Sequence, residues 1–118
     1  MPESHHPSLP ILHEAYRLTL WMINHSRRMD RSLRFQLGER LQAACLELCK
    51  ALNATRHAKR IDRPLARADQ HLDDLRLLLN LSVDLRVLSP RQYGYVSDQI
   101  LSIGNQLGGW RRNLRSSL

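Results

Sequence analysis

The sequence predicts an all-α protein: an antiparallel up-down-up-down four-helix bundle that assembles as a homo-oligomer. Three observations carry the bundle. Apolar residues recur at three- and four-residue intervals along nearly the whole chain, the period of an amphipathic helix, and strand-like alternation is absent. The prolines at positions 2, 7, 10, 64 and 90 all stand where a helix can begin, and no Asn-Gly or Asp-Gly hairpin dipeptide occurs. The stretches between the periodic segments are very short, which forces neighbouring helices to alternate in direction.

Length and composition agree. A chain of 118 residues makes one domain, and at that size folding buries roughly 65% of the extended surface without staples. Hydrophobic residues make up 42%, enough to build a core and against the composition of a disordered chain. Residues 1–8 are expected to form a flexible tail and residues 9–118 the bundle.

The first helix is expected from Leu9 to Arg28, with Ser8 as N-cap and Pro10 in the first turn. Ile11, Ala15, Leu18 and Met22 form its core stripe, flanked by Leu12, Tyr16 and Ile23, with His13, Glu14, Arg17, Asn24 and Arg28 opposite. Trp21 falls on the polar side, either as an oligomer-interface residue or as a surface ring stacked by arginine. A connector, Met29 to Ser32, leads to a second helix from Leu33 to Arg60, with Leu37, Leu41, Ala44, Leu48, Ala51, Leu52 and Thr55 facing the core.

Asp62 is the expected cap of a third helix from Arg63 to Leu88. Asp69, Asp73, Arg76, Asn80 and Asp84 make one narrow polar stripe along it, and its second half is leucine-rich almost all round. A corner helix needs a single apolar face, so Leu78, Leu81 and Leu85, with Trp21, are the expected oligomer interface. The fourth helix starts at Ser89-Pro90-Arg91-Gln92, a capping box with proline at its first helical position. Val96, Ile100, Ile103, Leu107, Trp110 and Leu114 form its core stripe. Gly104 and Gly108 either admit a close helix or, with Gly109, end the regular helix early.

The chemistry-bearing residues argue against an enzyme. A di-iron bundle needs Glu-x-x-His pairs on two helices; the one such spacing, Glu3 to His6, falls in the expected tail, and Glu14, Glu39 and Glu47 precede no histidine at that distance. Cys45 and Cys49 lie one helical turn apart without a second Cys/His pair to complete a zinc site, so they read as inert thiols at the core edge. Helical-bundle ribonucleases of the HEPN type carry Arg followed by His after four to six residues. Here Arg67 and Arg63 precede His71 by three and seven intervening residues. No phosphate-cradling glycine loop occurs. No catalytic residue, metal or cofactor is expected.

Charge is more informative. The net charge is +7, the sequence pI is near 10.4, and 16 of the 18 basic residues are arginine. In an alternating bundle Arg56, Lys59, Arg60, Arg63 and Arg67 share one end with Arg111, Arg112 and Arg115, while Arg27, Arg28, Arg31 and Arg34 share the other. Two basic ends suit phosphate contacts that read no sequence, and arginine's fork suits phosphate and base alike. The plain alternative is a solvated basic surface. No run of ~18–20 apolar residues is present to span a membrane, the N-terminus lacks a signal-peptide pattern, and two cysteines suit a cytoplasmic protein.

Four runs resemble the accessory variability determinant proteins of diversity-generating retroelements. They are Arg34-Phe35-Gln36-Leu37-Gly38-Glu39-Arg40-Leu41, Leu75-Arg76-Leu77-Leu78-Leu79, Leu88-Ser89-Pro90-Arg91-Gln92-Tyr93 and Ile103-Gly104-Asn105-Gln106-Leu107-Gly108-Gly109-Trp110. Their order extends the resemblance from about Leu12 to Leu114. It implies a basic, barrel-shaped homopentamer without an active site of its own. Such a protein binds an error-prone reverse transcriptase and its template RNA, with DNA a further possible ligand, and supports mutagenic copying into a variable gene. Four-helix-bundle proteins encoded within ribosomal RNA intervening sequences share the implied fold and fit less well, their first- and second-helix signatures not being evident. A general protein-interaction bundle is the other reading.

Overall fold

A computed structural model describes residues 9–117, and every regular element among them is helical. Helix α1 spans Leu9–Ser26; a single turn, Arg31–Leu33, and a π-helical segment, Arg34–Gly38, run into α2, Glu39–Ala54. Helices α3, Asp62–Asp84, and α4, Pro90–Ser117, complete the chain. The main packing is α1 on α2 and α4, α2 on α3, and α3 on α4, so each helix has two neighbours around one core. The extents of 47 × 23 × 21 Å are one long helix by two helix diameters of ~10–12 Å.

The core follows the expected stripes. Ile11, Ala15, Leu18 and Met22 of α1 are buried, as are Leu41, Ala44, Leu48, Ala51 and Leu52 of α2 with Leu37 and Thr55 at its two ends. Helix α3 contributes Leu65, Ala68, Leu72, Leu75 and Leu79; α4 contributes Val96, Ile100, Ile103 and Leu107, with Trp110 and Leu114 partly buried beside them. Tyr16 departs from expectation. It is exposed, because a step of roughly 100° per residue carries it past the face that meets α2. Glu14 departs the other way, turning towards α4, where it accepts hydrogen bonds from Ser102 Oγ at 2.8 Å and from Gln106 Nε2.

Helix ends differ from the sequence-based expectation for local reasons. Helix α1 stops at Ser26, two residues short of Arg28, and the turn that follows is closed by short-range bonds, Arg28 N to His25 O and Met29 N to Ser26 O. A Cβ on Gly38 would lie 3.2 Å from Met29 Sδ and 3.5 Å from Ser26 Cβ. Glycine therefore lets the π-helical entry to α2 pass close under the end of α1. Helix α2 ends at Ala54 rather than Arg60. The buried Thr55 hydroxyl donates to Leu52 O at 2.6 Å, and Arg56 N and His57 N bond carbonyls three residues back. Beyond it Arg56, His57, Lys59 and Arg60 are exposed, so continuing the helix would bury little.

Asp62 lies inside the first turn of α3 instead of capping it, and its carboxylate accepts from Arg60 Nη2 at 3.2 Å. Helix α3 ends at Asp84, four residues before Leu88. Val87 N bonds Ser82 O, Arg86 N bonds Val83 O, and Arg86 sits between them at φ 59°. This is a Schellman cap with arginine in the left-handed position that glycine usually fills. At α4 the expected capping box is present: Gln92 N donates to Ser89 Oγ at 3.1 Å and Ser89 N donates to Gln92 Oε1 at 2.9 Å. Helix α4 then runs through Gly104, Gly108 and Gly109 without a break, so the early-ending reading is set aside. Residues 1–8, with the Ser8 cap and the tail, lie outside the described residues.

Candidate nucleic-acid interface

Many of the basic residues sit at or beside the connectors, on exposed positions, while the inner faces of the helices are apolar. Arg27, Arg28, Arg31 and Arg34 are exposed in the turn and entry segment between α1 and α2. A hydrogen bond of 2.8 Å between His25 Nε2 and Val87 O brings the α3–α4 connector to the last turn of α1. That contact adds the exposed Arg86 to this end, a residue that sequence reasoning placed inside a helix. No sequence signal marks it, since no glycine announces the cap.

Arg56, Lys59, Arg60, Arg63 and Arg67 are exposed across the α2–α3 connector and the first turns of α3. Arg111 Nη1 reaches Asp69 Oδ2 at 3.1 Å and so draws the last turns of α4 onto α3. Arg112 and Arg115 are exposed beyond it. Two of these charges are engaged locally, Arg60 by Asp62 and Arg111 by Asp69. Exposed pairs of this kind are worth ~0–1 kcal/mol each, so a phosphate can displace either carboxylate at small cost. Among the described residues no carboxylate pairs with Arg56, Arg63, Arg67, Arg112 or Arg115.

The residues expected at an oligomer interface divide into two groups. Leu81 and Leu85 are 44% and 52% exposed, and Leu77, one turn before them, is 63% exposed. At ~100° per residue these three form a stripe on the side of α3 away from its buried Leu65, Leu72, Leu75 and Leu79. Leu78 is half-buried against the core and, with Leu77, His71 and Asp74, lines a groove of about 400 Å³ between α3 and α2. Trp21 is partly buried against the core. It stacks on His25 with ring centroids 5.0 Å apart and leans on Tyr95 at 5.4 Å, so histidine and tyrosine, rather than arginine, cover it.

Gly104 faces α3 closely. A Cβ there would lie 2.8 Å from Arg76 Nη2 and 3.4 Å from Leu72 Cδ2, whereas Gly108 and Gly109 meet only Arg112 of their own helix. The close-approach reading therefore applies to Gly104 alone.

The thiols are held protonated. Burial, with Cys49 alongside, pushes Cys45 up to about 12 from an ordinary value of 9.0. Burial also raises Cys49, against the lowering effect of the Thr19 hydroxyl 3.1 Å away. Thr19 Oγ1 donates to Ala15 O at 2.8 Å and lies 3.2 Å from Cys45 O, which ties α1 to α2 at mid-helix. Lys50, 3.0 Å from Glu47, lowers that carboxyl through a hydrogen bond. Among the described residues no three His, Cys, Asp or Glu side chains gather to hold a metal, and no helix is long and apolar enough to cross a membrane. Comparison with family models, with curated proteins and with solved structures returns no match.

Proposed function

We propose that this chain is a non-enzymatic, nucleic-acid-binding bundle that works as a homo-oligomer, the accessory RNA-binding partner of a reverse transcriptase in a diversity-generating retroelement. The observation that carries the nucleic-acid reading is the gathering of exposed arginines at two ends of an elongated molecule. Phosphate contacts made there would give affinity with little sequence preference. The proposal includes helices that alternate in direction. Three contacts support that arrangement: the end of α1 meets the start of α2 through Ser26 and Gly38, Glu14 meets Ser102 and Gln106, and Asp69 meets Arg111.

Oligomerisation is supported by the outward Leu77, Leu81 and Leu85 stripe, since a lone bundle gains nothing from three leucines in water. A ring of copies would multiply each arginine cluster into a basic rim, and five copies is the number the family resemblance implies. Two unbridged thiols suit a reducing, cytoplasmic setting.

Light scattering and an RNA gel shift, with and without a candidate reverse transcriptase, test the proposal. The expected result is a mass near five times 13.7 kDa and a complex with RNA that the polymerase supershifts. A mass of one chain overturns the oligomer. Binding to the polymerase without binding to RNA would favour the protein-interaction reading.

A further inference from the structure

Between the first half of α1 and the last turn of α2 lies an open groove of about 450 Å³, within the ~300–1,000 Å³ range of ligand pockets. Leu12 and Tyr16 stand four residues apart on α1; Cys49, Asn53 and Arg56 follow one another at four- and three-residue steps from α2 into its connector. The two rows face each other, so the groove has an apolar floor, an aromatic wall and a cationic mouth.

Tyr16 is 60% exposed, and among the described residues no aromatic ring stacks on it. Its surroundings do not use it as core. Arg56 at the mouth has no carboxylate partner among the described residues, unlike Arg60 and Arg111 at the same end. Lys50, also on the rim, pairs with Glu47 at 3.0 Å, so Arg56 is the rim cation without a carboxylate partner among the described residues. A flat aromatic face, an amide able to both donate and accept, and a guanidinium are the three groups that grip a nucleotide: the base by stacking, its edge by hydrogen bonds, its phosphate by charge.

We propose that this groove takes one nucleotide of single-stranded RNA, its base stacked on Tyr16, its edge met by Asn53 and its phosphate held by Arg56. The proposal rests on the nucleic-acid reading and adds to it a site that separates single strands from duplexes. A paired base stays in its own stack and cannot enter the groove, while duplex phosphates still reach the arginines at the two ends.

The test is fluorescence anisotropy of the full chain with a short labelled oligouridylate and with an RNA duplex of equal length. Because Tyr16 is largely exposed, Tyr16→Ala should fold, which a thermal melt checks. Tyr16→Ala should weaken the single strand about tenfold, within the roughly 5- to 150-fold range of base–aromatic stacking, and leave the duplex within about twofold. Tyr16→Trp should restore the single strand. Arg56→Gln should lower the single-strand salt slope by roughly 0.7, the share of one phosphate. A second readout needs no substitution: bound oligouridylate should slow capture of Cys49 by N-ethylmaleimide, followed by peptide mass spectrometry. If the unaltered chain binds both RNAs and Tyr16→Ala changes neither, or weakens both equally, the groove is overturned and the basic-end reading stands. If the unaltered chain binds neither RNA, both readings fall together.

Discussion

Arg86 occupies the left-handed cap of α3 at φ 59°, and replacing it with glycine should stabilise the fold. An L-residue there bears a steric cost of ~1–2 kcal/mol from the approach of its Cβ to the following carbonyl. Glycine removes that cost but returns ~0.5–1 kcal/mol through its greater freedom in the unfolded chain. The side chain is exposed and makes no ion pair among the described residues, so little else is lost. The net gain is about 0.5–1 kcal/mol. With an unfolding entropy of ~2.1 cal/mol/K per residue over 118 residues, that corresponds to roughly 2–4 °C in Tm. Thermal melts followed by circular dichroism, at fixed protein concentration, measure it. Arg86→Ala is the control, since it removes the charge and keeps the Cβ, and should melt close to the parent. Arg86→Gly melting at or below the parent, or Arg86→Ala matching it in gain, would refute the strained-cap reasoning.

Other substitutions probe other parts of the bundle. Gly108→Ala should raise stability by up to ~1 kcal/mol from helix propensity, since only its own helix lies near, whereas Gly104→Ala must displace the Arg76 head and should gain less; melts giving the reverse order would contradict the packing. Leu81→Glu, on the outward stripe, should reduce the mass seen by light scattering towards 13.7 kDa while the isolated bundle keeps its helicity. Cys45 ionises near 9.0 when unfolded and about 12 when folded, so its contribution is complete below pH 9 and drains away as pH rises towards 12, by about 1.4 kcal/mol per pH unit. Urea midpoints should therefore fall between about pH 8.5 and 10.5 in the parent and fall less in Cys45→Ala/Cys49→Ala; equal slopes would contradict the buried thiol.

Periodicity made the inner faces legible because a core residue is specified by what it must avoid, and leucine or isoleucine at helical spacing has no better place than the core. The capping box at Ser89 was equally legible, since its two bonds need those two side chains at that separation. The end of α3 was not: its cap is built from backbone bonds around an arginine, and no residue type announces it. The end of α2 was hidden for a different reason, as Arg56 to Arg60 are compatible with helix and merely lack anything to bury. Of the candidate interface, the exposure of the connector arginines followed from the helical pattern, since apolar residues take the inner faces. The neutralisation of Arg60 and Arg111 by nearby carboxylates, the addition of Arg86, and the covering of Trp21 by His25 and Tyr95 depended on side-chain positions that spacing does not determine.

If the arginine-rich ends bind RNA phosphates, the affinity of the full chain for structured RNA must follow the salt concentration, which a salt series measures. Log affinity should fall by roughly 0.7–0.9 per log salt for each phosphate neutralised, and reversing Arg56, Arg60 and Arg63 together to glutamate should flatten that slope. An unchanged slope in the triple variant would remove this end from the interface, and an affinity indifferent to salt in the parent would mean that phosphate contacts do not hold the RNA.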